Sequence, residues 1–375
     1  MIAFTFCGYF CLGLALILLG ANQADLARDL GLDLASTGML ASAFAMGMLI
    51  GMIGAGLLYD RLPRRPLFVA TILLTAIALF GFGPDNSFSE SLFLFAVIGL
   101  GSGAYDTLFN AAVAERYREQ SAKPMTLLHA GTALGAIIGP LLIAAIVTRW
   151  HWTRSFHSVG VAHLALAAAA VFVRLPEPTR TAESSKAEPH AIFSKAIIPF
   201  VVVAFAYLGL ESALAVFAIP YATDGLALDV IHGQTAISGM WLGLLAGRLG
   251  TLLLGGKLDG RVLIGSGILC FAAIAIGAAL GSSQIAILYF CVGFALGPVF
   301  PLVLALAGQR FPHALGSVIG LAAGAGSTGC FIVPWLTGVL GDQAGIAFAV
   351  KWLGVWALAI ALGGAVILRG RARAG

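Results

Sequence analysis

The sequence predicts an all-α membrane protein of about twelve transmembrane helices, and three observations carry that expectation. Hydrophobic residues fill 60% of the 375 positions, charged residues only 10%, and the mean hydropathy is +0.99. A soluble domain carries about 25% charge because its surface faces water, so this chain has too little polar surface to coat a globule of its size. Its apolar runs are about 20 residues long, the length a helix needs to cross a ~30 Å hydrocarbon core. They are also continuous, whereas barrel strands alternate over about 10 residues. Lipid offers the backbone no hydrogen-bond partners, so continuous runs of this length read as helices.

Polar breaks divide the chain into twelve candidate spans, at about 3–22, 37–58, 66–83, 91–114, 125–148, 154–173, 196–219, 234–254, 262–281, 285–307, 316–340 and 346–368. The first run has no basic segment before it and no small-residue cleavage site before Asp25, and is expected to be a retained span rather than a signal peptide. Between the sixth and seventh runs, Arg174 to Lys195 is charged, rich in Pro and Ser and poor in apolar residues. It reads as a flexible linker, giving an N-terminal six-helix bundle (1–173), a linker (174–195) and a C-terminal six-helix bundle (196–375).

Charge placement fixes the expected orientation. With the loop after span two on one face, the opposite face holds Arg28, Arg149, Arg154 and Lys351, and Arg248 falls inside span eight; the other sixteen of the 21 Lys and Arg share the first face. Positive charge marks the cytoplasmic side, which places both termini and the linker there. The net charge of +4 is therefore topological, and no nucleic-acid partner is expected. The five cysteines (Cys7, Cys11, Cys270, Cys291, Cys330) are scattered in apolar runs without CxxC spacing and read as small packing residues.

The chain repeats itself. Gly56-Leu-Leu-Tyr-Asp60-Arg61-Leu-Pro-Arg64-Arg65 follows span two, and Gly255-Gly-Lys257-Leu-Asp259-Gly-Arg261 follows span eight, 199 residues later. A six-plus-six duplication sets two pseudo-symmetric bundles around a cavity near the membrane midplane. The first of these loops resembles the signature loop of the major facilitator superfamily, with Pro63 where that family usually has Gly. The resemblance covers essentially the whole chain. It implies the major facilitator fold and transport of a small-molecule solute, with Gly56, Asp60, Arg61, Arg64, Arg65, Asp259 and Arg261 as a conformational latch that closes the inner gate. Without the resemblance, the same charges read as topology signals.

Four shorter stretches are similar to the fucose permease-like branch of proton–sugar symporters. They are Asp106-Thr107-Leu-Phe-Asn110 in span four, Leu127-Leu-His129 in span five, Tyr207-Leu-Gly209-Leu-Glu211 in span seven and Gly247-Arg248-Leu-Gly-Thr251 in span eight. That branch carries a functional Asp in span one, where this sequence has Gly20; Asp25 follows five residues later, at the expected outer end.

Few residues can do chemistry in these spans. A charge in a membrane helix costs about 2.5–3.5 kcal/mol on insertion scales and so faces a cavity or a partner. Asp106 has Asn110 one turn away on the same face; burial disfavours its charged form, so it reads either as a proton site beside a solute-binding amide or as a structural bond to a neighbouring helix. Glu211, with Tyr207 at i−4, faces the central cavity or packs against Arg248. His129 shuttles protons, donates to solute or is a satisfied core histidine. His163 reads as structural, Lys351 as snorkelling, and Arg248 as a loop anchor or an anion ligand. Gly131-x-x-x-Gly135-x-x-x-Gly139-Pro140, with Gly293, Gly297 and Pro298 in span ten, reads as close helix packing.

These features predict a proton-coupled symporter of a small polar solute, with a sugar implied by the branch resemblance, working by alternating access as a monomer in a bacterial inner membrane. Efflux of hydrophobic compounds is the second reading. A membrane-embedded enzyme is the third, since no loop carries a nucleophile–base–orienter set. No cofactor or metal is expected: Met46, Met48 and Met52 sit at helical packing spacing, and no phosphate-cradling loop is present.

Overall fold

The computed structural model describes residues 1–59, 61–117, 122–173, 175, 194–253, 259–280, 284–311 and 315–372. In the first half, α1 (Ile2–Ala21) leads through Asn22 into the short α2 (Gln23–Leu30). Then come α3 (Leu34–Tyr59), α4 (Arg64–Phe80), α5 (Phe88–Tyr117), α6 (Ala122–Val147) and α7 (Thr153–Phe172). The second half runs through α8 (Ile198–Pro220), α9 (Val230–Leu253), α10 (Gly260–Leu280), α11 (Ile285–Leu296), α12 (Val299–Arg310), α13 (Leu315–Ala344), α14 (Ile346–Trp352) and α15 (Gly354–Ala372). The protein is all-α, and no strand occurs among the described residues.

Where described, each of the twelve expected spans falls on helix, and nine stretches are long and apolar enough to cross a membrane by length and composition alone. Two expected spans are broken. Span ten divides at Gly297 and Pro298 into α11 and α12, because proline has no N–H to donate and its ring crowds the preceding turn. Span twelve divides at Leu353, where Leu353 and Trp356 donate back three residues, to Val350 and Leu353, tightening the backbone between α14 and α15.

The chain divides into two compact units, Met1–Ala182 and Glu183–Gly375. Within the first, α3 packs on α5, α1 on α6 and α4 on α7; within the second, α9 packs on α11, α8 on α13 and α10 on α15. Counted by span, these are the same three pairings made twice, which is the pseudo-symmetry the repeated loops announce.

Glycines make the close pairings possible. A Cβ built on Gly51 of α3 would lie 2.0 Å from the Leu100 carbonyl oxygen of α5, and one on Gly293 of α11 would lie 2.0 Å from the Met240 oxygen of α9. The Gly131 and Gly135 steps meet α1 in the same way, at 2.6 Å from the Phe6 oxygen and 2.3 Å from the Phe10 oxygen. Backbones this close cannot carry a side chain between them.

Candidate functional site

The first unit brings α1, α5 and α6 together around a polar group that no apolar stripe would need. Asp106 and Asn110 are one turn apart on α5. The Asn110 amide donates to the Tyr9 hydroxyl at 2.5 Å, to the Asp106 backbone oxygen at 3.1 Å and to Asp106 Oδ1 at 3.3 Å. Tyr9, from α1, is 1% exposed and donates to the Asp106 backbone oxygen at 3.4 Å. The His129 ring, from α6, meets Tyr9 edge-on with 5.2 Å between centroids and 89° between planes. Asp106, Asn110 and His129 therefore gather around one tyrosine. Beside it, Phe4, Phe68 and Phe109 pack ring against ring, with Phe109 edge-on to Tyr9.

The second unit builds its own cluster from α8 and α9. Tyr207 and Glu211 are one turn apart on α8, and Arg248 Nη2 donates to the Tyr207 hydroxyl at 3.2 Å. Arg248 and the Tyr207 hydroxyl both act on the Glu211 carboxylate. Its Oε2 is shielded from solvent and has no hydrogen-bond partner among the described residues. Phe300 of α12 stacks on the Tyr207 ring at 5.7 Å and 17°.

A tyrosine on the first helix of each unit thus supports a membrane carboxylate's neighbourhood. Tyr9 escaped the sequence reading because an aromatic residue in an apolar run looks like packing. Its signal was its separation from Tyr207, 198 residues, one short of the loop repeat.

His163 is structural. Its Nδ1 donates to the Val159 carbonyl at 2.8 Å, leaving Nε2 to accept from the Tyr105 hydroxyl at 3.2 Å, and it is fully buried.

Among the described latch residues, the fold draws only Arg64 into a contact between helices. Arg64 is buried at the start of α4, its guanidinium lies 4.1 Å from the centroid of the Tyr59 ring, and it pairs with Glu115 near the end of α5. Tyr59 donates to the same carboxylate at 2.9 Å. Glu115 is thus an acid that sequence reasoning missed, since its place near a span end reads as a helix terminus meeting water. Arg61 and Arg65 are exposed, and a Cβ on Gly56 would meet nothing within 4 Å. Asp60 lies outside the described residues. In the second half, Asp259 caps the start of α10 by accepting from the Arg261 backbone N–H at 2.8 Å, with the Arg261 side chain 3.9 Å away and 82% exposed. Where described, the echo is a local helix cap.

At the opposite end of the first unit, α2 is held by its own polar cluster. Asp29 Oδ2 accepts from Trp152 Nε1 at 2.7 Å and lies 3.0 Å from His151 Nε2, while Oδ1 accepts from Arg28 Nε at 3.1 Å.

A family model described as the Major Facilitator Superfamily matches residues 5–334. The chain belongs to the major facilitator superfamily. Among superfamily relatives, an uncharacterized transporter of this type, YfkL of Bacillus subtilis (strain 168), is 24% identical over 350 residues, covering 90% of this chain and 88% of the relative. The cis,cis-muconate transport protein of Acinetobacter baylyi is 27% identical over 376 residues, covering 92% and 89%. The solved structure of the nucleoside transporter NupG (D323A mutant) superposes with a TM-score of 0.82 at 13% identity, covering 97% and 98% of the two chains. This facilitator is therefore an integral membrane transporter and not an enzyme.

Proposed function

We propose that this facilitator is a proton-coupled secondary transporter of a small polar solute, working by alternating access in a bacterial inner membrane. The observation that carries this reading is Asp106, a carboxylate in a span with Asn110 and Tyr9 hydrogen-bonded around it and His129 beside Tyr9. An ionised carboxylate is costly to carry across hydrocarbon. A proton on Asp106 removes that charge, so the loaded carrier reorients more readily than one left ionised. The Asn110 amide and the Tyr9 hydroxyl supply the donors and acceptors that a polar solute needs among otherwise apolar side chains. Arg64, Tyr59 and Glu115 form the latch, with the neighbouring loop charges of the signature motif. A sugar fits the fucose permease-like stretches; the muconate relative by its name moves an organic acid, and both are small polar solutes.

Counterflow into proteoliposomes preloaded with unlabelled solute separates the classes. Labelled sugars or aromatic acids are expected to accumulate transiently. Transport of lipophilic dyes with neither polar class moving would reverse the reading to efflux.

A further inference from the structure

The polar cluster of the second unit has chemistry that proton binding at Asp106 leaves unused. Among the described residues, the titratable groups facing Glu211 are Tyr207 on its own helix, Arg248 on α9 and Cys330 on α13. Of these, Arg248 carries a standing charge, because a guanidinium does not deprotonate in proteins. A cation and a carboxylate persist together in a low-dielectric interior because each offsets the desolvation of the other. Yet Glu211 Oε2 is sealed from solvent without a hydrogen-bond partner among the described residues. An anionic oxygen so placed is unfavourable, and a bound proton is its simplest relief.

Protonation of Glu211 withdraws the negative charge that acts on Arg248, and an entering carboxylate restores the balance. A guanidinium fork matches two carboxylate oxygens. Arg248 donates to the buried Tyr207 at 3.2 Å, and the half-buried ring of Phe300 stacks on Tyr207 beside the fork, an aromatic surface suited to a flat apolar body. A neutral sugar offers Arg248 no charge to meet.

We propose that Tyr207, Glu211 and Arg248 form a carboxylate-binding site that accepts a small organic anion with a flat apolar body when Glu211 is protonated. The proposal rests on the carrier reading above and names its cargo class. Proton and anion enter together, so the loaded cluster has the same net charge as the empty one.

Benzoate binding to the purified full-length protein in detergent, followed by isothermal titration calorimetry, tests this. The wild type is expected to bind benzoate more tightly in mildly acidic than in alkaline buffer, and not to bind benzamide, its neutral counterpart. Arg248→Gln is expected to weaken binding by about a hundredfold or more. Glu211→Gln removes the Glu211 charge at every pH; it is expected to bind at least as tightly as the wild type and without pH dependence, a result that a misfolded protein does not give. The proposal is overturned by no benzoate binding at any pH, by equal binding of benzamide, by undiminished binding in Arg248→Gln, or by weaker binding in Glu211→Gln. Binding is read with no proton gradient, so its failure is distinct from a failure of proton-driven uptake.

Discussion

Arg64 and Asp29 show how single polar residues hold the two ends of the first unit. Arg64 keeps 3% of its side chain exposed and Glu115 23%, so the pair is partly desolvated and Tyr59 shares the carboxylate. Removing one partner leaves the other poorly compensated. Arg64→Gln is expected to cost about 2–3 kcal/mol, below the ~3–5 kcal/mol of a fully buried pair because Glu115 still meets solvent. Thermal unfolding in detergent reads this, and a variant melting with the wild type would show that the clamp is idle. Burial opposes ionisation of Asp29, but hydrogen bonds from Trp152, Arg28 and His151 and the charge of Arg28 outweigh it and hold the carboxyl below its usual range. A carboxyl lowered in this way adds stability above its unfolded pKa of about 4 and loses it as pH falls through the lower folded value. Tryptophan fluorescence is therefore expected to stay constant from neutral pH down to about pH 4 and to change below it, with the step absent in Asp29→Asn. A step sensitive to Asp29→Asn well above that range would contradict the assignment.

At the scale of elements, glycine placement separates packing from accident. Gly51 and Gly54 lie one turn apart on α3, yet a Cβ on Gly51 would lie 2.0 Å from the Leu100 oxygen, whereas one on Gly54 would meet nothing within 4 Å. Gly51→Ala must push α3 from α5 and is expected to cost about 1–3 kcal/mol or more. Gly54→Ala is expected to be neutral or to stabilise by up to about 1 kcal/mol. Melting temperatures of the two variants check the pair; equal values would mean that α3 and α5 are not packed backbone to backbone. The Gly131-x-x-x-Gly135 steps were legible because spacing alone puts small residues on one face. The break at Gly297 and Pro298 was written in the sequence but read as packing, because an apolar run carries no sign of where its helix stops. Tyr9 and Glu115 were hidden for another reason: what they do depends on Asn110 and Arg64, 101 and 51 residues away, and no local pattern encodes such partners.

At the scale of the whole molecule, hydrophobic content and run length made the membrane fold legible, and the repeated loop made its duplication legible. The same three helix pairings recur in both units, each unit with a tyrosine from its first helix beside a carboxylate. What distinguishes the units is charge. The first sets Asp106 among neutral donors, while the second sets Glu211 beside Arg248. In the proposed cycle the coupling proton is carried by Asp106, with Asn110 and Tyr9 offering hydrogen bonds to a solute whether or not the acid is ionised. The most direct test is accumulation of a counterflow-positive solute in proteoliposomes under an imposed inward proton gradient, for the wild type and Asp106→Asn. For a neutral solute the expected result is concentrative uptake by the wild type and, in the variant, loss of accumulation with solute exchange retained; an anionic solute that enters with the Glu211 proton is expected to keep part of its accumulation. Undiminished gradient-driven accumulation by Asp106→Asn would contradict it.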